Sequence, residues 1–256
     1  MGYPRVVEAG VDEGYEWLLT EEVRGASLRE TWPALRWDER ERALVELWHM
    51  ARAVHTAKEP ELDPHANCPF YAPTPEAAEA QVAALETQGV LAAGECASLR
   101  AALASFWAAV PASPSVLCHG DLTVGNALWQ DGHVVCLLDF EFAVAAPVEL
   151  DAHHLLRDVD DMHDNRDRAD PQADRTGDAQ RRLMEAVGRE MRTALSEPGA
   201  PERLRGYAVL YQLWSMLGWL KHWDGKEDYT AWRPFRLLTA LAAGDNVYLA
   251  PLLPEG

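Results

Sequence analysis

Residues 116–126, VLCHGDLTVGN, place His119, Asp121 and Asn126 in a polar loop between two apolar runs, and another acid, Asp139, arrives as the second run ends. Within NALWQDGHVVCLLDF, from Asn126, the pair Asp131-Gly132 separates two β-like segments and predicts a two-residue hairpin turn. Such a turn pairs Gln130 with His133. Counting back along the ladder puts Asn126 opposite Leu137 and makes Asp139 its diagonal neighbour, roughly 7–8 Å away at the Cα atoms. Two side-chain oxygens at that separation can converge on one metal ion. Magnesium suits them, because it takes one or two protein oxygens and fills its other positions with phosphates and water. Asp121, five residues before Asn126, can then accept a hydroxyl proton while the metal neutralises phosphate charge, an arrangement suited to phosphoryl transfer. His-Gly-Asp alone would signify only turn chemistry. The loop, the five-residue spacing, the hairpin and the terminal Asp-Phe in this order carry the reading.

Asp-x-x-x-x-Asn followed by Asp-Phe is the spacing of the protein-kinase catalytic loop and metal acid, with His-Gly-Asp here in place of His-Arg-Asp. HGDLTVGN and LLDFEFA resemble the aminoglycoside phosphotransferase and choline-kinase-like family, whose loop reads His-Gly-Asp-x-x-x-x-Asn and whose metal acid sits in Asp-Phe-x-x-Ala. The resemblance implies Asp121 as catalytic base, Asn126 and Asp139 as magnesium ligands, and His119 as a residue that holds the loop. Glu141 stands where many relatives have Gly and is expected to face solvent. Asp151, in PVELDAHHLL, lies near the family's acid that braces the loop. YEWLLTEEVRGASL looks like the last N-lobe strand and hinge, with the Glu21 carbonyl and the Val23 N–H as contacts for a nucleotide base, and ARAVHTA looks like the family's histidine-containing helix end. The implied reaction moves the γ-phosphate of ATP or GTP to a hydroxyl of a small molecule. Aminoglycosides, which are cationic, are one class; other amino alcohols, sugars, macrolides and hydroxylated amino acids remain open.

The elements around the motif are mostly helical. Two β-rich runs, Arg5–Ala9 and Tyr15–Thr20, flank Asp12-Glu13-Gly14 and read as a hairpin, which is marginal alone and must pack on something. Asp38, with Glu41 three residues on, reads as the N-cap of a helix to His55 whose stripe includes Leu44, Leu47, Trp48, Ala51 and Val54. Further helices are predicted over Pro75–Thr87, Glu95–Val110, Glu149–Arg157, Asp178–Ser196, Pro201–Trp223 and Ala231–Ala243. The charged run from Arg157 to Arg182 reads as a solvated loop, or as an acidic flap in which Asp160 and Asp161 attract amines. Adjacent His153 and His154 diverge on a helix and cannot chelate one ion together. Tyr207, Tyr211, Trp214, Trp219 and Trp223 recur at near-helical spacing and are expected in the core, with a substrate-cleft wall as their functional alternative. The expected fold is α+β and predominantly α: a remnant N-lobe hairpin and hinge over residues 1–25, then a helical protein kinase-like C-lobe over 26–256.

A net charge of −18 with three lysines argues against nucleic-acid partners. The most apolar segment, from Tyr207, is interrupted by Gln212 and Ser215, so no membrane span is expected. Scattered Cys68, Cys96, Cys118 and Cys136 and the lack of a signal-like N-terminus point to reduced thiols in a cytoplasmic protein. One family feature is not matched. No lysine precedes Lys58, Gly10 and Gly14 do not form a phosphate loop, and Arg5 and Arg24 are the basic side chains before the C-lobe. Truncation, a replaced lysine and a degenerate homologue compete as explanations; the presence of Asp121, Asn126 and Asp139 together favours truncation. The alternative function is a non-catalytic small-molecule-binding kinase homologue.

Overall fold

A computed structural model describes residues 2–57, 68–166 and 177–253, and only the backbone over 163–166. The chain opens on an antiparallel hairpin of β1 (Val6–Asp12) and β2 (Tyr15–Thr20). Asp12 pairs with Tyr15, so the first strand runs three residues past the expected Ala9 and the turn is Glu13-Gly14 alone. Both turn residues have positive φ, 48° and 85°, as a two-residue turn matched to strand twist requires. Val6, Val7, Val11, Tyr15, Trp17, Leu18 and Leu19 on this ribbon are exposed.

β3 (Ala26–Ser27) and the single turn α1 (Leu28–Thr31) lead to α2 (Trp37–His55). The N-cap of α2 is Arg36, not Asp38 as expected. Glu39 is the acid three residues on, and its carboxylate accepts the Arg36 N–H at 2.9 Å. Asp38 instead sits in the first turn and binds the Arg36 guanidinium. The expected stripe of Leu44, Leu47, Trp48, Ala51 and Val54 is buried. There follow α3 (Pro75–Thr87), capped by the Thr74 hydroxyl, and α4 (Ala93–Ala109). Then come β4 (Val116–Cys118), β5 (Ala127–Gln130), β6 (His133–Leu137) and β7 (Val144–Ala146). α5 (Glu149–Arg166), α6 (Asp178–Arg192), α7 (Ala200–Leu220) and α8 (Arg233–Ala242) complete a helix-rich α+β fold.

Two small sheets position the motif. β4 pairs antiparallel with β7, and β3, β5 and β6 form a three-stranded sheet. Gln130 pairs with His133 across Asp131-Gly132, whose φ values of 51° and 83° are those of a two-residue hairpin turn. The register then slips at Leu128/Trp129, so that Ala127, not Asn126, faces Leu137. Val135 is the extra residue of this bulge. Asn126 thereby meets Leu138, whose N–H donates to the Asn126 carbonyl at 2.8 Å.

Helix α5 corrects a second expectation, because it continues through Arg166 rather than ending at Arg157. Leu155, Leu156, Val159 and Met162 are all buried, and their spacing of three and four residues carries the core face through the acidic run. The rest of the expected loop, 167–176, lies outside the described residues. Arg233 holds both Asp160 and Asp161, and Arg157 holds Asp161 at 2.6 Å. These acids are ion-paired rather than parts of a free acidic flap. The aromatic stripe also divides. Tyr207 is fully buried and Tyr211 and Trp214 are half-buried, whereas Trp219 and Trp223 are exposed, 49% and 38%: Trp219 turns away from the face by which Leu217 and Leu220 pack on the core, and Trp223 lies beyond the end of α7 at Leu220.

Candidate active site

The loop after β4 is held by one carboxylate. Asp151, fully buried in the first turn of α5, accepts the His119 N–H at 2.9 Å and the Gly120 N–H at 3.0 Å, and its Oδ2 meets His55 Nε2 at 2.7 Å. Burial by itself raises an acid's pKa. Here the His55 hydrogen bond, the neighbouring imidazoles of His55 and His119 and the His119 N–H outweigh it, so the Asp151 carboxyl lies below the usual range. His55, the end of α2, thus joins α5 and the loop at one point. The Cys118 thiol lies in the same buried cluster and donates to the Ala146 and Pro147 carbonyls, while Asp151 has its hydrogen-bonding capacity taken up by the loop and His55. This cluster is structural bracing rather than a metal centre.

Gly120 has φ +83°, and a Cβ there would lie 1.9 Å from the Phe142 carbonyl oxygen. Only glycine permits the segment bearing Phe142 to close over the loop. His119 then ties the two motif halves together. Its Nδ1 accepts the Asp121 N–H at 3.3 Å, and Nε2 meets the Leu138 carbonyl at 2.7 Å. Those partners define the neutral tautomer with its proton on Nε2.

Asp121 is partly buried, and burial raises its carboxyl above the usual carboxylate range against the lowering effects of Arg157, His119 and Asn126. Asn126 Nδ2 donates to the Asp121 backbone carbonyl at 2.9 Å and to Asp121 Oδ2 at 3.2 Å. The amide is thereby oriented, and its oxygen has no hydrogen-bond partner among the described residues. Asp139, one residue past the residue that meets Asn126, has φ +64° and leaves the ladder there. It is exposed, and its carboxylate has no hydrogen-bond or ion-pair partner among the described residues. An oriented amide oxygen and an uncommitted carboxylate at adjoining positions of one hairpin are a hard-oxygen donor set suited to magnesium. Glu141 is exposed, as expected.

A second brace escaped sequence reasoning. Asp158 on α5 accepts the Val124 N–H at 2.9 Å and binds Arg29 of α1 at 2.6 Å. Its signal was present as an acid seven residues after Asp151, on the same face of a helix. Assigning 157 onward to a loop concealed it. Glu21 and Val23 lie between β2 and β3, with Val23 half-buried and the Glu21 carboxylate on Arg5 at 2.5 Å. β3 joins them to the sheet that carries Asn126, since Ala26 and Ser27 pair with Trp129 and Leu128. All four cysteines are free and buried, and burial pushes the Cys68 thiol up to about 12. No described helix is long and apolar enough to cross a membrane.

A helix-rich fold closing two small sheets around this loop is of the protein kinase-like class. Residues 3–192 match the family described as "Phosphotransferase enzyme family", and the chain belongs to that family. Over 67 residues the chain is 42% identical to an aminoglycoside 3'-phosphotransferase of Streptomyces ribosidificus, a match covering 26% of this chain and 22% of that protein. Solved structures share the fold. A thermostable mutant of aminoglycoside phosphotransferase APH(4)-Ia, in ternary complex with ADP and hygromycin B, superposes with TM-score 0.56 at 16% identity over 94% of this chain and 76% of that one. An aminoglycoside phosphotransferase from Alicyclobacillus acidocaldarius gives 0.57 at 16% identity over 98% and 76%.

Proposed function

We propose that this protein transfers the γ-phosphate of a nucleoside triphosphate, ATP or GTP, to a hydroxyl of a small, cationic acceptor of the aminoglycoside type. The observation that carries the proposal is the coupling of Asp121 to Asn126 in a loop clamped by Asp151, beside the uncommitted carboxylate of Asp139. Asp121 is the base. Its carboxylate accepts the acceptor's hydroxyl proton as that oxygen forms its bond to the γ-phosphorus and the bond to the departing nucleoside diphosphate breaks. Partial burial favours proton acceptance, and the Asn126 amide holds the carboxylate in place. His119 keeps the loop registered on the Leu138 carbonyl and so sets Asp121 relative to Asp139. Asn126 and Asp139 would hold magnesium, which when bound neutralises charge on the phosphate oxygens. The hinge backbone at Glu21 and Val23 is the proposed contact for the nucleotide base. In the same reading, residues 1–25 belong to the nucleotide-covering lobe and 26–256 to the catalytic lobe. ADP and AMP-PNP complexes of structural neighbours support nucleotide use, and their hygromycin B supports the acceptor class.

The test is calorimetric titration of magnesium with ATP or GTP into the chain and its Asp139→Ala variant, followed by phosphate transfer to hygromycin B and other aminoglycosides in the wild type and Asp121→Asn. Magnesium-dependent binding lost in Asp139→Ala, with transfer lost by about 10²-fold or more in Asp121→Asn, is expected. Acceptor binding without nucleotide binding would replace this reading with that of a non-catalytic small-molecule-binding homologue.

A further inference from the structure

Behind Asp121 lies a buried chain of polar rings that the proposed transfer does not use. His153 and His154, adjacent on α5, are both fully buried, as is Tyr71 to within 3%. The Tyr71 hydroxyl sits between them, 3.2 Å from His153 Nδ1 and 2.7 Å from His154 Nε2. His153 Nε2 continues to the Tyr248 hydroxyl at 2.8 Å. At the other end His154 Nδ1 is buried without a hydrogen-bond partner among the described residues, and Asp121 Oδ1 lies 3.7 Å from it. A shift of about 0.5 Å would bring the pair into hydrogen-bond range, the kind of tightening that accompanies substrate binding.

The chain admits two proton orders. Burial and the Arg157 charge hold both imidazoles neutral, so each carries one proton. A single hydroxyl between two imidazoles donates to one and accepts from the other. If Tyr71 donates to His153, then His154 donates through Nε2 and turns a bare, acceptor-only Nδ1 towards the Asp121 carboxylate. If Tyr71 donates to His154 Nε2, the His154 proton lies on Nδ1 and faces Asp121. His153 then donates from Nδ1 to Tyr71, and Tyr248 donates to His153 Nε2. Only the second order places a donor against the carboxylate. In a buried site an unmatched acceptor pair is costly, whereas a directed chain polarises towards its anionic end.

We propose that His154 is a positioning residue for Asp121: the Tyr248–His153–Tyr71 chain fixes its proton on Nδ1, so that it donates to Asp121 Oδ1 while Asn126 donates to Oδ2. The carboxylate is then gripped at both oxygens and its rotamer is set before an acceptor arrives. The inference rests on the assignment of Asp121 as base and adds a residue to it.

The test is long-range 1H–15N correlation spectroscopy on the full chain with 15N-labelled histidine, which reads the protonated nitrogen of each neutral imidazole directly. His153 and His154 are both expected to carry the proton on Nδ1, the tautomer a free histidine populates less. In Asp121→Asn the His154 Nδ1 resonance is expected to move while that of His153 stays. A His154 protonated on Nε2 in the wild type, or a His154 Nδ1 resonance indifferent to Asp121→Asn, overturns the proposal. The wild-type spectrum decides the first point even if the variant fails to fold. Because the readout needs no turnover, its failure is separate from a failure of Asp121→Asn to abolish phosphate transfer.

Discussion

Removing the Asp151 carboxylate should be among the most damaging single changes in this protein. Asp151→Ala strips the acceptor from the His119 and Gly120 N–H groups, held at 2.9 and 3.0 Å, and from His55 at 2.7 Å, all buried. Each buried group left unsatisfied costs about 1–3 kcal/mol, and three donors lose their acceptor here. The contributions overlap at one side chain, so a loss of about 4 kcal/mol is expected. Urea unfolding followed by circular dichroism reads this as a midpoint lowered by more than about 1 M, given a slope near 3 kcal/mol/M for a chain of this size. The pH dependence supplies a second reading. The Asp151 carboxyl is depressed in the fold, so its contribution is fully present above the unfolded value near 3.9 and is lost as pH falls from there through the folded value. Asp151→Asn, which keeps one oxygen, should cost about half as much and lack this acid-range component. A midpoint for Asp151→Ala within about 0.2 M of the wild type would refute the reasoning that one buried carboxylate clamps the loop.

Three further outcomes follow from the same geometry. Buried neutral His153 and His154 have depressed pKa values, so the unfolded chain takes up protons before the folded one. Stability should therefore fall as pH drops below about 6.5, by up to about 2.7 kcal/mol per pH unit while both contribute, as measured by urea unfolding at successive pH values. Gly120→Ala drives a Cβ to 1.9 Å from the Phe142 oxygen at a φ of +83°. It should lower Tm by about 6 °C or more in calorimetry, which at about 2–4 °C per kcal/mol for a chain of this size corresponds to a loss of at least about 1.5 kcal/mol, and abolish magnesium-nucleotide binding. Arg203 and Glu149 form a fully buried pair at 2.6 Å between α7 and α5. Arg203→Met alone should cost about 3–5 kcal/mol in urea unfolding, and adding Glu149→Leu should recover the part due to the orphaned charge, while the Ala109 and Pro198 carbonyls still lack the Arg203 donor.

What the sequence alone determined is what neighbouring residues decide among themselves. Asp131-Gly132 makes its turn through the positive φ that these two residue types tolerate, so the Gln130–His133 pair is legible without knowledge of any other strand. The α3 boundaries follow from Thr74 and Pro75, and the buried face of α2 follows from its period. The order of Asp121, Asn126 and Asp139 likewise stands in the chain itself. The tertiary structure decided everything whose energy is set by burial. Only the assembled sheet reveals the bulge that moves Asn126 opposite Leu138, since one extra residue in β6 leaves no mark on the alternation around it. The charged run after Arg157 stays helical because Val159 and Met162 find a core and Arg157 and Arg233 neutralise its acids, partners that local propensity cannot supply. Asp158 reaches Val124 from 34 residues away, and Tyr71 meets His153 and His154 across 82 and 83. Such contacts form only when the fold brings distant side chains out of water together, where a hydrogen bond left unmade costs far more than it does on an exposed chain.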